Sequence, residues 1–284
     1  MKEDSYHLHD PTWCRGCGIF GLFAALKKAV ASLQIPPERM VVVTGIGCHG
    51  RLNNYFNAYG FHGLHGRALP VAAGVKLANS NLTVLAVSGD GDAYSIGMGH
   101  FIHANRRNIN MTCIVVDNRV YGLTQGQTSP TSQKGFVSVS SPFGSKETPV
   151  DGTRLALVAG GTFIARGFSG DPKHLMALII EGMTHNGFSL IEVLSPCVTY
   201  NKINTNKWFK ENILNLDNDK SYRAEDKKAA LEALSERKRI PIGLLYREDR
   251  PSFDDMSLPS ETPLAMTPLD VDEKKLDAIM KEFE

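Results

Sequence analysis

The sequence lacks the features that mark several special classes of protein. Its 31 Lys and Arg residues are balanced by 30 Asp and Glu residues, so the formal charge of +1 gives no overall attraction to nucleic acid or to an anionic membrane. No apolar run approaches the roughly 20 residues that span a bilayer, and the first residues do not follow the charged, apolar and small-residue order of a signal peptide. We therefore expect a cytoplasmic protein that binds neither nucleic acid nor membrane.

Cysteine is also scarce, with five in 284 residues. Because the cytoplasm keeps thiols reduced, we expect no disulfide framework, and the cysteines direct attention to metal binding or catalysis instead. The chain is long enough for one large domain or two small ones. We divide it into a polar N-terminal arm without a helix or strand (residues 1–12), a central domain (13–200) and a C-terminal extension (201–284) in which hydropathy falls.

The stretch Ser88-Gly-Asp-Gly-Asp92 organises the pattern. It follows an apolar run, residues 83–87, and opens a helix-like segment, and the next apolar run, residues 111–116, ends at Asp117-Asn118. Parallel strands of an α/β sheet bind ligands at their carboxyl ends, where oxygen-bearing side chains suit a hard cation such as Mg²⁺ beside a phosphate. Each turn alone is more simply structural, because both are ordinary turn sequences. Together they predict a doubly wound, mainly parallel α/β sheet with a divalent-metal diphosphate site.

Two glycine-rich segments could add ligands to this edge. A third strand-like run, residues 40–44, leads into Gly45-Ile-Gly47-Cys48, and further on His62, His65 and Arg67 lie among glycines. Glycine lets a backbone approach a phosphate closely, so the second segment is a plausible anion-binding loop. Each histidine is as readily a hydrogen-bonded loop residue as a ligand, whereas the fixed fork of donors makes Arg67 the better phosphate contact.

Four cysteines occupy positions typical of ligands. Cys14 and Cys17 form a CxxC motif immediately before an amphipathic helix, and Cys48 and Cys197 each follow a strand-like run. Free N–H groups at a helix N-terminus stabilise thiolates, which favours redox exchange or metal ligation. Four thiolates would suit a [4Fe–4S] cluster or tetrahedral zinc. Alternatively, the CxxC motif is a redox pair and the other two thiols are inert. Cys113 lies in the middle of a strand and is interpreted as a core residue.

These motifs together carry a resemblance to a known family. The chain resembles the β subunit of 2-oxoacid:ferredoxin oxidoreductases from Trp13 to about Tyr246. The motifs that carry the likeness are Trp13-Cys-Arg-Gly-Cys-Gly18, Gly45-Ile-Gly-Cys48, His65-Gly-Arg67, Gly89-Asp-Gly-Asp92, His103-Ala-Asn-Arg-Arg-Asn108, Tyr121-Gly-Leu-Thr124, Gln127-Thr-Ser-Pro-Thr131 and Ser195-Pro-Cys197. Gly-Asp-Gly followed by Asn is shared by many thiamine diphosphate enzymes. The four cysteines and the Ser-Pro-Thr loop are far more specific.

The resemblance implies a set of cofactors and ligands. Thiamine diphosphate would bind to a sheet of the PP type, the kind of α/β sheet that holds the cofactor's diphosphate. The implied ligands are Asp90, Asn118 and the carbonyl of Val120 for Mg²⁺, then Gly47, His65, Gly89 and Gly91 for the cofactor, and Cys14, Cys17, Cys48 and Cys197 for one [4Fe–4S] cluster. His65 and Arg67 would lie near the reacting centre. His49 departs from the pattern, because a small residue is expected after Cys48.

The resemblance also implies partners and a reaction. A glutamate from an α subunit would activate the thiamine, so this chain would be active only in an αβ or (αβ)₂ complex. The enzyme would convert a 2-oxoacid and coenzyme A to acyl-CoA and CO₂, or the reverse, with ferredoxin as electron partner. Arg51 could bind a second carboxylate of the substrate, which favours 2-oxoglutarate. The alternatives are a non-oxidative thiamine decarboxylase with structural zinc and a metal-binding module without catalytic activity.

Overall fold

The computed structural model describes residues 1–235, 238–257, 262–267 and 272–283. One eight-stranded sheet runs through this part of the chain in the order β2-β1-β3-β4-β6-β5-β8-β7. The strands are β1 (Met40–Thr44), β2 (Tyr59–His62), β3 (Thr83–Gly89), β4 (Met111–Asp117), β5 (Phe163–Phe168), β6 (Phe188–Leu194), β7 (Ile213–Asn215) and β8 (Ile240–Arg247). Neighbouring strands from β2 to β5 are parallel, and β8 runs antiparallel to β5.

Helices cover both faces of the sheet. They are α1 (Ile19–Ser32), α2 (Ala68–Ala78), α3 (Met98–Arg107), α4 (Gly152–Val158), α5 (Pro172–Thr184), α6 (Asn206–Asn212), α7 (Lys227–Ser235), α8 (Phe253–Ser257) and α9 (Glu273–Lys281). Helices α1 and α5 pack on one face, against side chains such as Leu85 and Ile114. Helices α2, α3, α4 and α7 pack on the other, against Ala86 and Cys113. The predicted doubly wound, mainly parallel α/β sheet is therefore confirmed.

Buried strands explain the continuous apolar runs in the sequence. Every residue of β4 and of β6 is buried, as expected for parallel strands covered on both faces. Val87 pairs with Ile114, and Asp117 pairs with Leu194, so β3, β4 and β6 end side by side. Since β1 is parallel to β3 as well, four strands deliver their following loops to one edge of the sheet.

Both ends of the chain contribute more to the fold than the sequence suggests. Glu3–Tyr6 forms a 3₁₀ helix, and the buried Tyr6 hydroxyl donates to the carbonyl of Ile35 at 2.6 Å. The segment predicted to lack a helix therefore has a short one that is anchored to the body of the protein. At the other end, β7 and β8 complete the sheet from within the predicted extension. Residues 236–237, 258–261, 268–271 and 284 of that extension lie outside the described residues. No helix in the described part of the chain is long and apolar enough to cross a membrane.

Candidate functional site

A cavity of about 420 Å³ lies at the edge where β1, β3 and β4 end. Its wall combines the loop after β1, the turn after β3 and the segment after β4. Among the lining residues are Gly47, Cys48, His65, Asp90, Asn118 and Val120. The cavity thus brings together residues that are 73 positions apart in the sequence, from Gly47 to Val120, because parallel strands end at the same edge.

Asp90 forms the floor of the cavity. Its carboxyl group is only 3% exposed and accepts hydrogen bonds from the hydroxyls of Ser129 and Thr131, both at 2.6 Å. Thr131 also contacts Asp117 at 2.7 Å. Burial raises the pKa of Asp90, and burial together with the neighbouring Asp90 raises the pKa of Asp117 to about 6. Two buried carboxyl groups this close favour a bound cation, which would offset their mutual repulsion.

Asn118 and Val120 face the same cavity because the backbone turns sharply between them. Arg119 has a φ of 58°, the left-handed region that Asn, Asp and Gly adopt most readily. The amide side chain of Asn118 accepts from the N–H of Val120 at 3.1 Å, and the Ser132 hydroxyl donates to the carbonyl of Arg119 at 2.7 Å. An Asn oxygen keeps a second lone pair when it accepts one hydrogen bond. Asp90, Asn118 and Val120 thus line one cavity, and carboxylate, amide and carbonyl oxygens are the donors that Mg²⁺ prefers.

Glycines leave space on the wall that a side chain would fill. A Cβ atom at Gly91 would collide with the ring of Tyr121, and one at Gly89 would lie 2.7 Å from Cε1 of His49. Gly47 has a φ of 151°, and a Cβ there would lie 2.5 Å from the same ring atom. Glycine at these three positions therefore lets the rings of Tyr121 and His49 pack directly against the backbone of the cavity wall.

His65 and its hydrogen-bond partner Asp92 also line the cavity. Nδ1 of His65 donates to the Oδ1 atom of Asp92 at 2.6 Å, and His65 keeps about a third of its side chain exposed (32%). The ring of Tyr121 meets the imidazole edge to face, with centroids 6.2 Å apart. His65 thus lies on the cavity wall, oriented by Asp92 and Tyr121.

His49 also lines the cavity, in contrast to the small residue expected after Cys48. Its side chain is buried, and its Nε2 atom has no hydrogen-bond partner. Burial lowers the pKa of His49 to about 4 even though Asp92 lies 3.9 Å away. The ring is therefore neutral near pH 7, and the glycines at positions 47 and 89 provide the space it occupies.

Arg51 and Arg67 do not line this cavity. Arg51 is exposed on the 3₁₀ helix Cys48–Asn54. Burial raises the pKa of the nearby Tyr55, but hydrogen bonds with Thr12 and the charge of Arg51 outweigh burial and lower that pKa. Arg67 is exposed at the start of α2, and its guanidinium contacts Nε2 of His100. Both predicted roles therefore require these side chains to reach a ligand from the rim.

The four predicted cysteine ligands are neighbours. Gly18 donates its N–H to the carbonyl of Pro196 at 3.1 Å, which joins the CxxC loop to the loop of Cys197. Trp13 donates its indole N–H to the carbonyl of Cys48 at 2.8 Å, which joins the same loop to the segment after β1. A Cβ atom at Gly122 would lie 3.6 Å from the sulfurs of both Cys48 and Cys197.

Burial works against thiolate formation at two of these positions. It raises the pKa of Cys17 to about 11, and the other three thiols raise it slightly further despite an opposing backbone N–H. Burial likewise raises the pKa of Cys48. The thiolate stabilisation expected from the start of α1 is thus outweighed at Cys17. Such thiols ionise readily only when a metal or cluster supplies positive charge.

Two further observations concern which cysteines could bind a metal and of what kind. Cys113 is fully buried in the middle of β4, as predicted, and burial raises its pKa. Within the described ranges, no three His, Cys, Asp or Glu side chains are arranged to hold one metal ion. The thiols are near one another without forming a single-ion ligand set.

Sequence reasoning missed three residues that shape the site. Ser129 and Thr131 were noted only as part of a motif, yet their hydroxyls hold Asp90. Asp92 received no role, although it accepts a hydrogen bond from Ile46 in the loop after β1 and from His65. The sequence does carry one signal for Asp92, since it is a second acidic residue on the same glycine turn as Asp90.

Known proteins resemble this chain over most of its length. The 2-oxoacid:ferredoxin oxidoreductase 2, subunit beta, of Aeropyrum pernix is 43% identical over 86% of the chain and 82% of that protein. The 2-oxoglutarate synthase subunit KorB of Archaeoglobus fulgidus is 42% identical over 72% of the chain and 78% of that protein. A solved structure, the 2-oxoglutarate:ferredoxin oxidoreductase from Magnetococcus marinus with 2-oxoglutarate, coenzyme A and succinyl-CoA bound, matches with a TM-score of 0.92 and 36% identity. The match covers 98% of this chain and 96% of the chain in that structure.

Two family models match adjacent parts of the chain. Residues 45–193 match the C-terminal TPP-binding domain of thiamine pyrophosphate enzymes, and residues 197–260 match the C-terminal part of the pyruvate ferredoxin oxidoreductase beta subunit. The sheet and the cavity at its edge thus define a thiamine-diphosphate-binding α/β protein. Within that class, the chain belongs to the β subunits of the 2-oxoacid:ferredoxin oxidoreductases, as its sequence motifs indicated. Relatives of the 2-oxoglutarate type are among the matches.

Proposed function

We propose that this chain is the catalytic β subunit of a 2-oxoglutarate:ferredoxin oxidoreductase that binds thiamine diphosphate, Mg²⁺ and one [4Fe–4S] cluster. The reaction would convert 2-oxoglutarate and coenzyme A to succinyl-CoA and CO₂, or run in reverse, with ferredoxin as the electron partner. The observation that carries the proposal is the position of Cys48, which lines the same cavity as Asp90 and Asn118. A cluster ligand and the metal ligands would thus share one wall.

The residues at the sheet edge would hold the cofactor. Asp90, Asn118 and the Val120 carbonyl would bind Mg²⁺, and the backbone at Gly47, Gly89 and Gly91 would approach the diphosphate. Thiamine diphosphate, when bound, supplies the carbanion chemistry that allows a 2-oxoacid to lose CO₂. Ser129 and Thr131 would keep Asp90 oriented towards the metal, because their hydroxyls donate to its carboxylate.

Cys14, Cys17, Cys48 and Cys197 would hold the cluster, which supplies one-electron transfer. Four mutually close thiols, two of which resist ionisation because they are buried, fit a multi-iron group whose positive charge stabilises thiolates. The indole of Trp13 packs against Phe20 and Tyr55 beside this group of thiols. Aromatic cover of this kind limits solvent access and thereby tunes a cluster's potential.

Other components would come from partners. The relatives named subunit beta support an α subunit, and we propose that it supplies the other wall of the cavity in an αβ or (αβ)₂ complex. The relative from Magnetococcus marinus was solved with coenzyme A bound, which supports coenzyme A as the acyl acceptor. We retain the cytoplasm as the proposed location.

Arg51 is our candidate for the second carboxylate of 2-oxoglutarate. We expect Arg51→Ala to lower kcat/KM for 2-oxoglutarate about 10- to 100-fold relative to pyruvate, because a hydrogen-bonded charge pair is worth about 1.5–3 kcal/mol. Arg39→Ala, which removes an exposed arginine before β1, is the control and should leave the ratio unchanged. An unchanged ratio in Arg51→Ala would remove Arg51 from the substrate site.

The proposal is tested on the αβ complex purified without oxygen. We expect about four irons and four sulfides per β subunit, as one [4Fe–4S] cluster requires, and viologen reduction only with thiamine diphosphate, 2-oxoglutarate and coenzyme A together. A colourless zinc protein that releases CO₂ without reducing the dye would indicate a non-oxidative decarboxylase instead. A complex that binds neither thiamine diphosphate nor Mg²⁺ would indicate a binding module.

A further inference from the structure

Asp92 connects three loops of the cavity. Its side chain is buried, and its Oδ1 atom accepts hydrogen bonds from the backbone N–H of Gly66 at 2.6 Å and of Ile46 at 3.3 Å. The hydroxyl of Ser88 donates to the other oxygen. A Cβ atom at Gly45 would collide with this carboxylate. The carboxylate therefore ties the turn after β3 to the loop after β1 and to the loop that precedes α2.

The same carboxylate fixes His65. Its Oδ1 atom accepts from Nδ1 of His65 at 2.6 Å. That oxygen already accepts the backbone N–H groups of Gly66 and Ile46, so it is the acceptor in the pair and Nδ1 carries the hydrogen. Because the other ring nitrogen is then the only one open to a ligand, Nε2 becomes the polar atom that the imidazole offers to the cavity it lines. The adjacent N–H of Gly66, bound to the same oxygen, prevents the loop from turning the ring away.

We propose that Asp92 is a positioning residue, which holds His65 in its Nδ1–H form and presents Nε2 to the substrate in the cavity. This inference rests on the proposed function for its substrate, but its geometry stands on the hydrogen bonds of Asp92 alone. With the hydrogen on Nδ1, Nε2 offers a lone pair, so it can take a proton from an oxygen of the bound substrate, which makes the ring an imidazolium, and return the same proton to that oxygen. His49, on the other side of Asp92, is 3.9 Å from Oδ2 and is not held in this way.

Two substitutions of His65 separate the ring nitrogens without changing Asp92. The amide N–H of His65→Asn can replace that of Nδ1 and keep the bond to Asp92, whereas the amide of His65→Gln lies near the position of Nε2 and gives up the bond to Asp92. We expect His65→Asn to lower kcat of the αβ complex about 100-fold, the lower range for loss of a general acid–base group. If His65→Asn retains turnover within about threefold of wild type, the imidazole only secures the loop, and the proposal fails.

Substitutions of Asp92 test whether it acts through His65. Asp92→Ala should lower kcat at least about 10-fold with KM for 2-oxoglutarate changed less than about threefold, and Asp92→Asn, which keeps an accepting oxygen, should restore most of the loss. In the His65→Gln background, Asp92→Ala should cost no more than about twofold, because the two residues act as one unit. An undiminished loss in that background would overturn the proposal. Asp171→Asn, at the exposed N-cap of α5, is the control.

A measurement that needs no turnover distinguishes this inference from the proposed function. Diethyl pyrocarbonate modifies free imidazole nitrogens, and peptide mass mapping reports its rate at His65. Release of the ring in Asp92→Ala should raise that rate at least about threefold, while Asp92→Asn stays close to wild type, because only the former loses the accepting oxygen. An unchanged rate in Asp92→Ala overturns the inference even if the complex oxidises 2-oxoglutarate. A raised rate supports it even if the substrate is a different 2-oxoacid.

Discussion

The five cysteines differ most clearly in what surrounds each sulfur. Cys14, Cys17 and Cys197 lie on loops and Cys48 begins a 3₁₀ helix, and burial with the neighbouring thiols raises the pKa values of Cys17 and Cys48. Cys113 lies in β4 with no exposed surface. The sequence pattern separated these two groups correctly, because a cysteine next to a glycine or proline turn lies in a loop, whereas one inside an apolar run lies in the core.

Substitution of one cysteine from each group tests the cluster. Cys17→Ser keeps the size of the side chain but removes the soft thiolate, so we expect the iron content of the αβ complex to fall to less than half and dye reduction to be lost. Cys113→Ala removes one buried sulfur, which should lower the stability by about 1 kcal/mol and leave the iron content unchanged. Equal iron in wild type and Cys17→Ser would contradict the cluster assignment.

The positions of Asp90 and Asn118 at the sheet edge could be predicted from the sequence, but the residues that hold Asp90 could not. Asp90 and Asn118 each follow an apolar run, and the rule that parallel strands end together places them at one edge. Thr131 reaches Asp90 from a loop 41 residues further along. Nothing local specifies such a contact, because a loop without periodic pattern carries no information about where it folds back.

A charge network around the buried Arg166 links three elements of the fold. Arg166 on β5 donates to Glu192 on β6 at 2.6 Å and to Asp151, the N-cap of α4, at 2.9 Å. The hydroxyl of Tyr94 also donates to Glu192, at 2.8 Å. The network could not be predicted from the sequence, because Arg166 and Glu192 lie on different strands and nothing local pairs their side chains. It holds α4 against the centre of the sheet.

We expect Arg166→Met to destabilise the β subunit by about 3–5 kcal/mol, because it leaves carboxylates buried without a cation. The loss should be measured as a fall in the apparent melting temperature of the αβ complex. Arg154→Met, on the exposed side of α4, should change stability by less than about 0.5 kcal/mol. Similar effects of the two substitutions would mean that the buried network contributes little.

The effect of Arg166→Met should also depend on pH. Burial already raises the pKa of Glu192 above its ordinary value, and Arg166 opposes that rise. Without Arg166 the folded state binds a proton at Glu192 more tightly than the unfolded state does, so stability is gained as pH falls through the folded pKa. The loss of melting temperature in Arg166→Met should therefore be smaller at pH 5 than at pH 8. An equal loss at both pH values would indicate that Glu192 does not titrate in this range.

At the scale of the whole molecule, two buried aspartates line the cavity, Asp90 and Asp92, and a third, Asp117, lies next to Asp90. Asp90, Asp92 and Asp117 are each no more than 4% exposed, and burial raises the pKa values of Asp90 and Asp117. A diphosphate would add further negative charge to the same edge. The family and the parallel sheet could be predicted from motifs, whereas this concentration of charge appears only when the loops are assembled.

This charge predicts that thiamine diphosphate and Mg²⁺ bind the αβ complex cooperatively. The cation should offset repulsion between Asp90 and the diphosphate, and coupling of this kind typically amounts to about 1–3 kcal/mol. At about 2–4 °C per kcal/mol for a domain of this size, the melting temperature with both ligands should exceed the sum of the separate increases by several degrees. A chelator should reverse the effect. Asp90→Asn should reduce the excess, whereas Asp219→Asn, an exposed carboxylate, should not. Strictly additive increases would mean that Asp90 does not share its cation with the diphosphate.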